Sequence, residues 1–309
     1  MTDVFQKQIC AARIVFTILF AAFLFIATAP SASAGPILGP DLSAFAILGG
    51  AGVTFDGATS GITGSVGGCC HAVAITGAIP TNYTDSGGTV YLAADPATTN
   101  AQNELGIAMT ALAGMTAGAS EATLDNITLG PGVYSVSATD LNTVLTLDGG
   151  GNANALWVFQ FTSALTTASN SKVILENTGA GAGVYWVMAT SGGSATLGSS
   201  STFVGNILAY AAITVGTTAT DSCGRLLTQT ESVTLDGTDT IGIGCSGLPG
   251  SNGLSGGGTL SMVGGVPVIA TLAPSYVPEP SAFFCLAPCL AGLVIQRKLA
   301  RSKLAKSRA

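Results

Sequence analysis

Few residues in this chain have the types and spacing for chemistry. His71 is the single histidine and directly follows Cys69-Cys70. Cys and His are zinc ligands, but a stable site needs four donors, and no C-x2-C pair lies elsewhere. A disulfide role for Cys69 or Cys70 is therefore expected, with no metal and no cofactor. A Ser-His-Asp triad would have to rest on that one histidine, so no catalytic residues are assigned and the chain is not expected to be an enzyme. Fourteen acids between residues 35 and 277 leave a glycosidase carboxylate pair open. Those in Asp148-Gly149 and Asp236-Gly237 read first as turn residues. Trp157, Phe159, Phe161 and Trp186 have faces that would stack on sugars, yet large aromatics more commonly fill cores. Cys223 and Cys245 stand one β-helix coil apart in sequence. Stacked coils lie ~4.7–4.9 Å apart, within the Cα separation that a disulfide tolerates, so these two are expected to pair, although Cys69, Cys70, Cys223 and Cys245 together allow three full pairings.

The elements that position these groups must suit an unusual composition. The chain has 309 residues, 48% of them hydrophobic, 8% charged, and 42 of them Gly. Soluble proteins average about 25% charged, so this surface is built from Ser, Thr, Gly, Ala and Asn. Long amphipathic helices need charged solvent faces, and Gly and Thr are poor helix formers. Disordered chains are poor in apolar residues. An all-β, turn-rich protein remains. Residues 35–277 carry a net charge of −12, with Lys172 and Arg225 as the two bases. Nucleic acid is excluded as a partner, because it demands clustered bases.

The remaining bases mark the ends. Lys7 and Arg13 precede an apolar run over 14–29 and the small-residue site Ala32-Ser33-Ala34. This order is that of a secretory signal peptide, expected over 1–34. At the other end Pro278-Glu279-Pro280 precedes an apolar run, Ala282 to Ile295, and six bases lie within Arg297–Arg308. This tripartite end, 277–309, resembles the PEP-CTERM sorting signal. The resemblance implies export, membrane insertion at least in transit, and cleavage by an exosortase-type enzyme. Physically it is a short membrane segment with a basic cytoplasmic flank. The Gly- and Ser-rich stretch 249–276 reads as a flexible spacer, with a short strand possible over 259–263.

Between the labels lies one domain, 37–248. Short apolar stretches recur between Gly, Asn and Asp turns, as at Val144–Leu147, Leu156–Phe161, Val184–Met188 and Ser232–Leu235. Several alternate apolar with small polar residues, as half-buried strands do. One stretch differs. Asp95 is a helix N-cap with Pro96 at the first helical position, and Leu105, Met109 and Leu112 share one face. A helix near 95–116 is expected, among strands that suit a solenoid, a sandwich or a barrel. The one-coil spacing of Cys223 and Cys245 favours the solenoid.

From Phe45 to Ile243 the chain resembles the ice-binding-protein-like family. The motifs are Phe45-Ala-Ile-Leu-Gly, Ile62-Thr-Gly-Ser-Val-Gly, Leu129-Gly-Pro-Gly-Val-Tyr, Trp157-Val-Phe-Gln-Phe, Val184-Tyr-Trp-Val and the run from Ser194 to Asp236. The resemblance implies a discontinuous right-handed β-solenoid (β-helix) of triangular section, with one long α-helix packed along a side. It also implies adsorption to ice or ordered water through one flat, charge-poor face. Threonine suits such a face, with a methyl for contact and a hydroxyl to order water. Thr54, Thr63, Thr76, Thr214, Thr228 and Thr230 are the candidate outward residues, although no regular Thr-x-Thr repeat runs through the chain. The alternative is a surface or exopolysaccharide-matrix structural protein using the same solenoid, which the sorting tail favours. Either protein would be extracellular or at the cell surface.

Overall fold

The structure, a computed structural model, describes residues 34–276 apart from 58–59, 69–74, 78–82, 86, 92–94 and 138. Residues 1–33 of the expected leader over 1–34, Cys69, Cys70, His71 and the motif Pro278, Glu279 and Pro280 lie outside the described residues.

Short strands wind successively round three parallel sheets. One circuit runs from Val144–Asp148 in the first sheet to Leu156–Phe161 in the second and Leu165–Thr167 in the third. The next circuit begins at Lys172–Glu176, in register beside Val144–Asp148. This is the expected solenoid, and its coils do not stack in chain order. Phe45–Gly49 pairs with Gly224–Thr228, so the N-terminal coils continue the stack beyond the C-terminal one. Helix α1, Pro96–Ala113, returns the chain to the opposite end, where Ala119–Glu121 forms the other edge of a nine-stranded sheet.

The sequence explains the helix locally. The Asp95 side chain accepts from the Ala97 amide at 2.8 Å, and Pro96 needs no partner for a missing N–H. Ala101, Leu105, Ala108, Met109 and Leu112 bury one face against Leu48, Val158, Tyr185, Val187, Leu208 and Leu227 of the nine-stranded sheet. Its 18 residues span about 27 Å at 1.5 Å each, or between five and six strand spacings. The Gln160 amide donates to the helix-end carbonyls of Leu112 and Met115, at 2.7 and 2.8 Å. Because helix and coil interior cover opposite faces, strands here read as unbroken apolar runs; Gly183–Met188 is buried throughout.

The aromatics fill the coil interior, as expected. Phe159 and Trp186 stack with centroids 4.2 Å apart, and Tyr134 and Phe203 extend the column. The indole of Trp157 donates to the Leu129 carbonyl and that of Trp186 to the Val204 carbonyl. Each ring is thus buried with its polar atom satisfied.

Cys223 and Cys245 form a disulfide with Cα atoms 4.5 Å apart. They follow the neighbouring strands Thr220–Asp221 and Thr240–Gly242, as the one-coil spacing predicts. Arg225, fully buried beside them, donates to Asn206, to the Asn252 carbonyl and to the Ser43 carbonyl at 2.8, 2.9 and 2.6 Å. It thereby ties the junction of first and last coils to the chain beyond them.

The expectation of a flexible spacer over 249–276 is corrected. Gly258–Val263 and Val266–Thr271 form an antiparallel hairpin that also pairs with Gly35–Pro36. Leu254 lies in the main core, and Ile269 packs against the cluster under the helix. The glycines that suggested a spacer allow close approach instead: the Gly256 and Gly257 amides bond the carbonyls of Ala182 and Gly181.

Candidate functional site

Helix α1 leaves two sheets with exposed outward residues, and the one with the more regular outward face has seven strands. In order they are Asp140–Leu141, Leu165–Thr167, Ala195–Leu197, Ile213–Val215, Ser232–Asp236, Gly52–Asp56 and Ile75–Thr76. Each central strand turns buried residues inward on both sides of an outward threonine, because side chains alternate along a strand. Ile213 and Val215 are buried while Thr214 is exposed.

Registry converts this alternation into a line. Thr166 lies beside Thr196, Thr196 beside Thr214, Thr214 beside Thr234, Thr234 beside Thr54, and Thr54 beside Thr76. Six threonines on six neighbouring strands form one row, about 24 Å long at the strand spacing. The residues two positions away are small over most of its length. Ala164, Ser194, Ala212, Ser232 and Gly52 flank one side; Ala168, Gly198 and Gly216 flank part of the other. The Thr76 hydroxyl donates to that of Thr54 at 3.1 Å, continuing the line through the side chains. Charge enters only at the margins, as Asp140 at one end and the neighbours Asp56 and Asp236 at one side.

Three of the six expected threonines, Thr54, Thr76 and Thr214, meet in this row. The other three do not. Thr228 is a correction: it is fully buried in the helix-covered sheet. Its hydroxyl accepts from the Gly50 amide at 3.0 Å and donates to the Glu231 carbonyl at 2.5 Å, so burial is compensated. Thr63 is exposed on the first sheet beside Gly242. Thr230 sits just past its strand, with its hydroxyl donating to the Tyr210 carbonyl. Thr166, Thr196 and Thr234 were missed. For Thr196 and Thr234 the signal was a lone threonine between two apolar residues; Thr166, followed by the buried Thr167, lacked it.

The first sheet carries threonines too, but in a broken line. Thr202, Thr220 and Thr240 are neighbours, with Lys172 at one side and Gly61 at the other. Ile174 stands exposed nearby. Among the described residues no group of three His, Cys, Asp or Glu is placed to hold a metal ion.

The ice-binding-like family model matches residues 47–241. This chain belongs to the ice-binding-like family. It is 40% identical over 199 residues to an ice-binding protein of Nostoc sp. (strain HG1), covering 63% of this chain and 70% of that one. It is 35% identical over 208 residues to an ice-binding protein of Flavobacterium frigoris (strain PS1), covering 62% and 71% respectively. The crystal structure of an ice-binding protein from the Antarctic ascomycete Antarctomyces psychrotrophicus superposes with a TM-score of 0.59 at 35% identity, over 69% of this chain and all of that one. That of a glycosylated ice-binding protein from an Arctic yeast gives 0.58 at 29% identity, over 67% and 94%. In this family member the matched region contains all three sheets and the helix, and stops short of the hairpin.

Two buried carboxyls near the disulfide coil lie off the threonine row. Burial pushes Asp221 well above the usual carboxylate range, against the pull of the Cys223 amide and the Arg225 charge. Asp239, at the turn between the threonine sheet and the first sheet, is pushed up to about 7, chiefly by burial. The Ala219 amide donates to it and lowers it, while the Asp236 charge raises it.

Proposed function

We propose that this protein adsorbs to ice through the seven-stranded sheet, with Thr166, Thr196, Thr214, Thr234, Thr54 and Thr76 as the contact row. The observation that carries this is their registry: one methyl and one hydroxyl repeat at the strand spacing on a rigid, nearly uncharged plane. Methyls favour contact with an ordered surface because they leave bulk water, and regularly placed hydroxyls hold water in a matching pattern. Membership of a family whose named relatives are ice-binding proteins supports the reading. The action is adsorption, not catalysis.

The address labels add to this. The leader over 1–34 directs export, and the Cys223–Cys245 disulfide suits an oxidising compartment. The tail over 277–309 would hold the protein at the membrane until, or unless, an exosortase-type enzyme acts at Pro278-Glu279-Pro280. The sorting tail is also the observation that favours a matrix role, with exopolysaccharide as partner. Purified residues 35–277 at micromolar concentration should halt ice recrystallisation and produce thermal hysteresis. A folded protein that leaves recrystallisation unchanged refutes ice adsorption and leaves the matrix role standing.

A further inference from the structure

The C-terminal hairpin has an outward face of a kind found nowhere else among the described residues. Its cross-strand pairs put Ser261, Val263, Val266 and Val268 on one side, and Leu260, Met262, Pro267 and Ile269 on the other. Ile269 packs toward the helix cluster. Val263 and Val266 are each 60% exposed at the tip, and Val268 is also exposed. Residues 240–278 contain no charged side chain, although residues 35–277 carry net −12. The hairpin is thus an apolar, neutral patch on an otherwise acidic body.

Its position is equally specific. The chain from Ser255 to Tyr276 lies over the turns that join the first sheet to the helix-covered sheet. Ser255 bridges to Gly183, Tyr276 bridges to Asn152, and the Asn154 amide donates to the Ala273 carbonyl at 3.0 Å. With three sheets round the coil, this corner is the one opposite the threonine sheet. From Tyr276, six further residues reach the apolar run 282–295 and then the six bases. Fully extended they span about 20 Å. Wherever that run enters a bilayer, Tyr276, which follows the hairpin, is held within about that distance of its surface.

We propose that the outward face of the hairpin rests on a lipid surface beside the tail, as a second contact that turns the threonine sheet away from the membrane. This rests on reading residues 277–309 as membrane-inserting. Apolar side chains at an interface add binding in proportion to the area buried. A neutral patch also avoids the repulsion that the acidic body meets at anionic headgroups.

Tryptophan quenching tests this with the chain 35–309 on phosphatidylcholine and phosphatidylglycerol vesicles whose acyl chains carry bromine. Native Trp157 and Trp186 are fully buried, so wild type supplies a flat background. Val266→Trp should be quenched on binding, and Thr214→Trp, on the opposite sheet, should not. Val263→Asp with Val266→Asp should weaken vesicle binding on the order of tenfold without lowering the melting temperature, because both sites are exposed. Vesicle binding with Val266→Trp unquenched overturns the hairpin contact alone. Quenching of Thr214→Trp overturns the orientation. No vesicle binding at all overturns the reading of the tail and this inference with it. Dimerisation through the hairpin in place of vesicle quenching assigns the patch to a second copy and overturns the lipid contact.

Discussion

Thr214→Tyr is the most informative single change, because Thr214 sits inside the row with Thr196 and Thr234 on either side. A tyrosine ring standing above the plane would hold the surface off its own position and both neighbours. Each threonine methyl brought into contact contributes about 0.8 kcal/mol. Three lost contacts amount to about 2.4 kcal/mol, roughly fiftyfold in an adsorption equilibrium. Folding should be nearly unaffected: the side chain points to solvent, exposed substitutions usually stay within about 0.5 kcal/mol, and tyrosine is a good strand residue. The assay is the lowest concentration that halts ice recrystallisation, measured beside the melting temperature. The expected outcome is a rise of about fiftyfold with the melting temperature unchanged. Thr76→Tyr, at the end of the row, should raise it less. Wild-type activity that survives Thr214→Tyr at the same concentration refutes this face as the contact.

Thr228→Val should do the reverse. It removes the hydroxyl that serves the buried Gly50 amide, costing about 1–3 kcal/mol of stability, while the refolded protein keeps its activity; calorimetry with the recrystallisation assay separates the two effects. Replacing Cys223 and Cys245 together with serine frees a separation of 22 residues, which the chain-entropy relation values at about 3 kcal/mol. The midpoint of denaturant unfolding should fall accordingly, with the slope little changed. Stability should also depend on pH. Because the Asp239 carboxyl is raised to about 7 in the folded state, its contribution is complete below the unfolded value near 3.8 and is lost as pH rises through about 7. Asp221, raised by burial, acts in the same direction. Melting temperatures should therefore decline from pH 4 to pH 8, and Asp239→Asn should flatten the decline; a wild-type profile that rises over this range refutes the assignment. Arg225→Lys keeps the charge but loses the guanidinium fork that reaches Asn206, Asn252 and Ser43 at once. It should lower the melting temperature by several degrees, read by circular dichroism.

Local rules in the sequence set the elements. Asp95-Pro96 starts the helix because a carboxylate oxygen can serve the orphan amides and proline needs no partner there. Ile213-Thr214-Val215 makes a half-buried strand because alternation places two apolar side chains inward. The 22-residue spacing brings Cys223 and Cys245 onto neighbouring coils for the same kind of reason, and the structure joins them. The row itself was not legible. Its members lie at irregular intervals, since the turns between strands vary in length, and Thr234 neighbours Thr54 only because the first coils stack on the last. Thr228 shows the converse: a threonine in a strand looks the same in sequence whether solvent or a helix covers it. Here Pro96–Ala113 covers it, and the Gln102 amide donates to its carbonyl at 3.0 Å. The glycines of 253–258 looked like a spacer because composition reports freedom, not the close approach that such freedom permits. Sequence determined which residues alternate, where the helix begins and that Cys223 and Cys245 stand one coil apart. Tertiary structure decided which strands are neighbours and which sheet the helix covers, because both depend on contacts between residues far apart in sequence, some nearly two hundred positions.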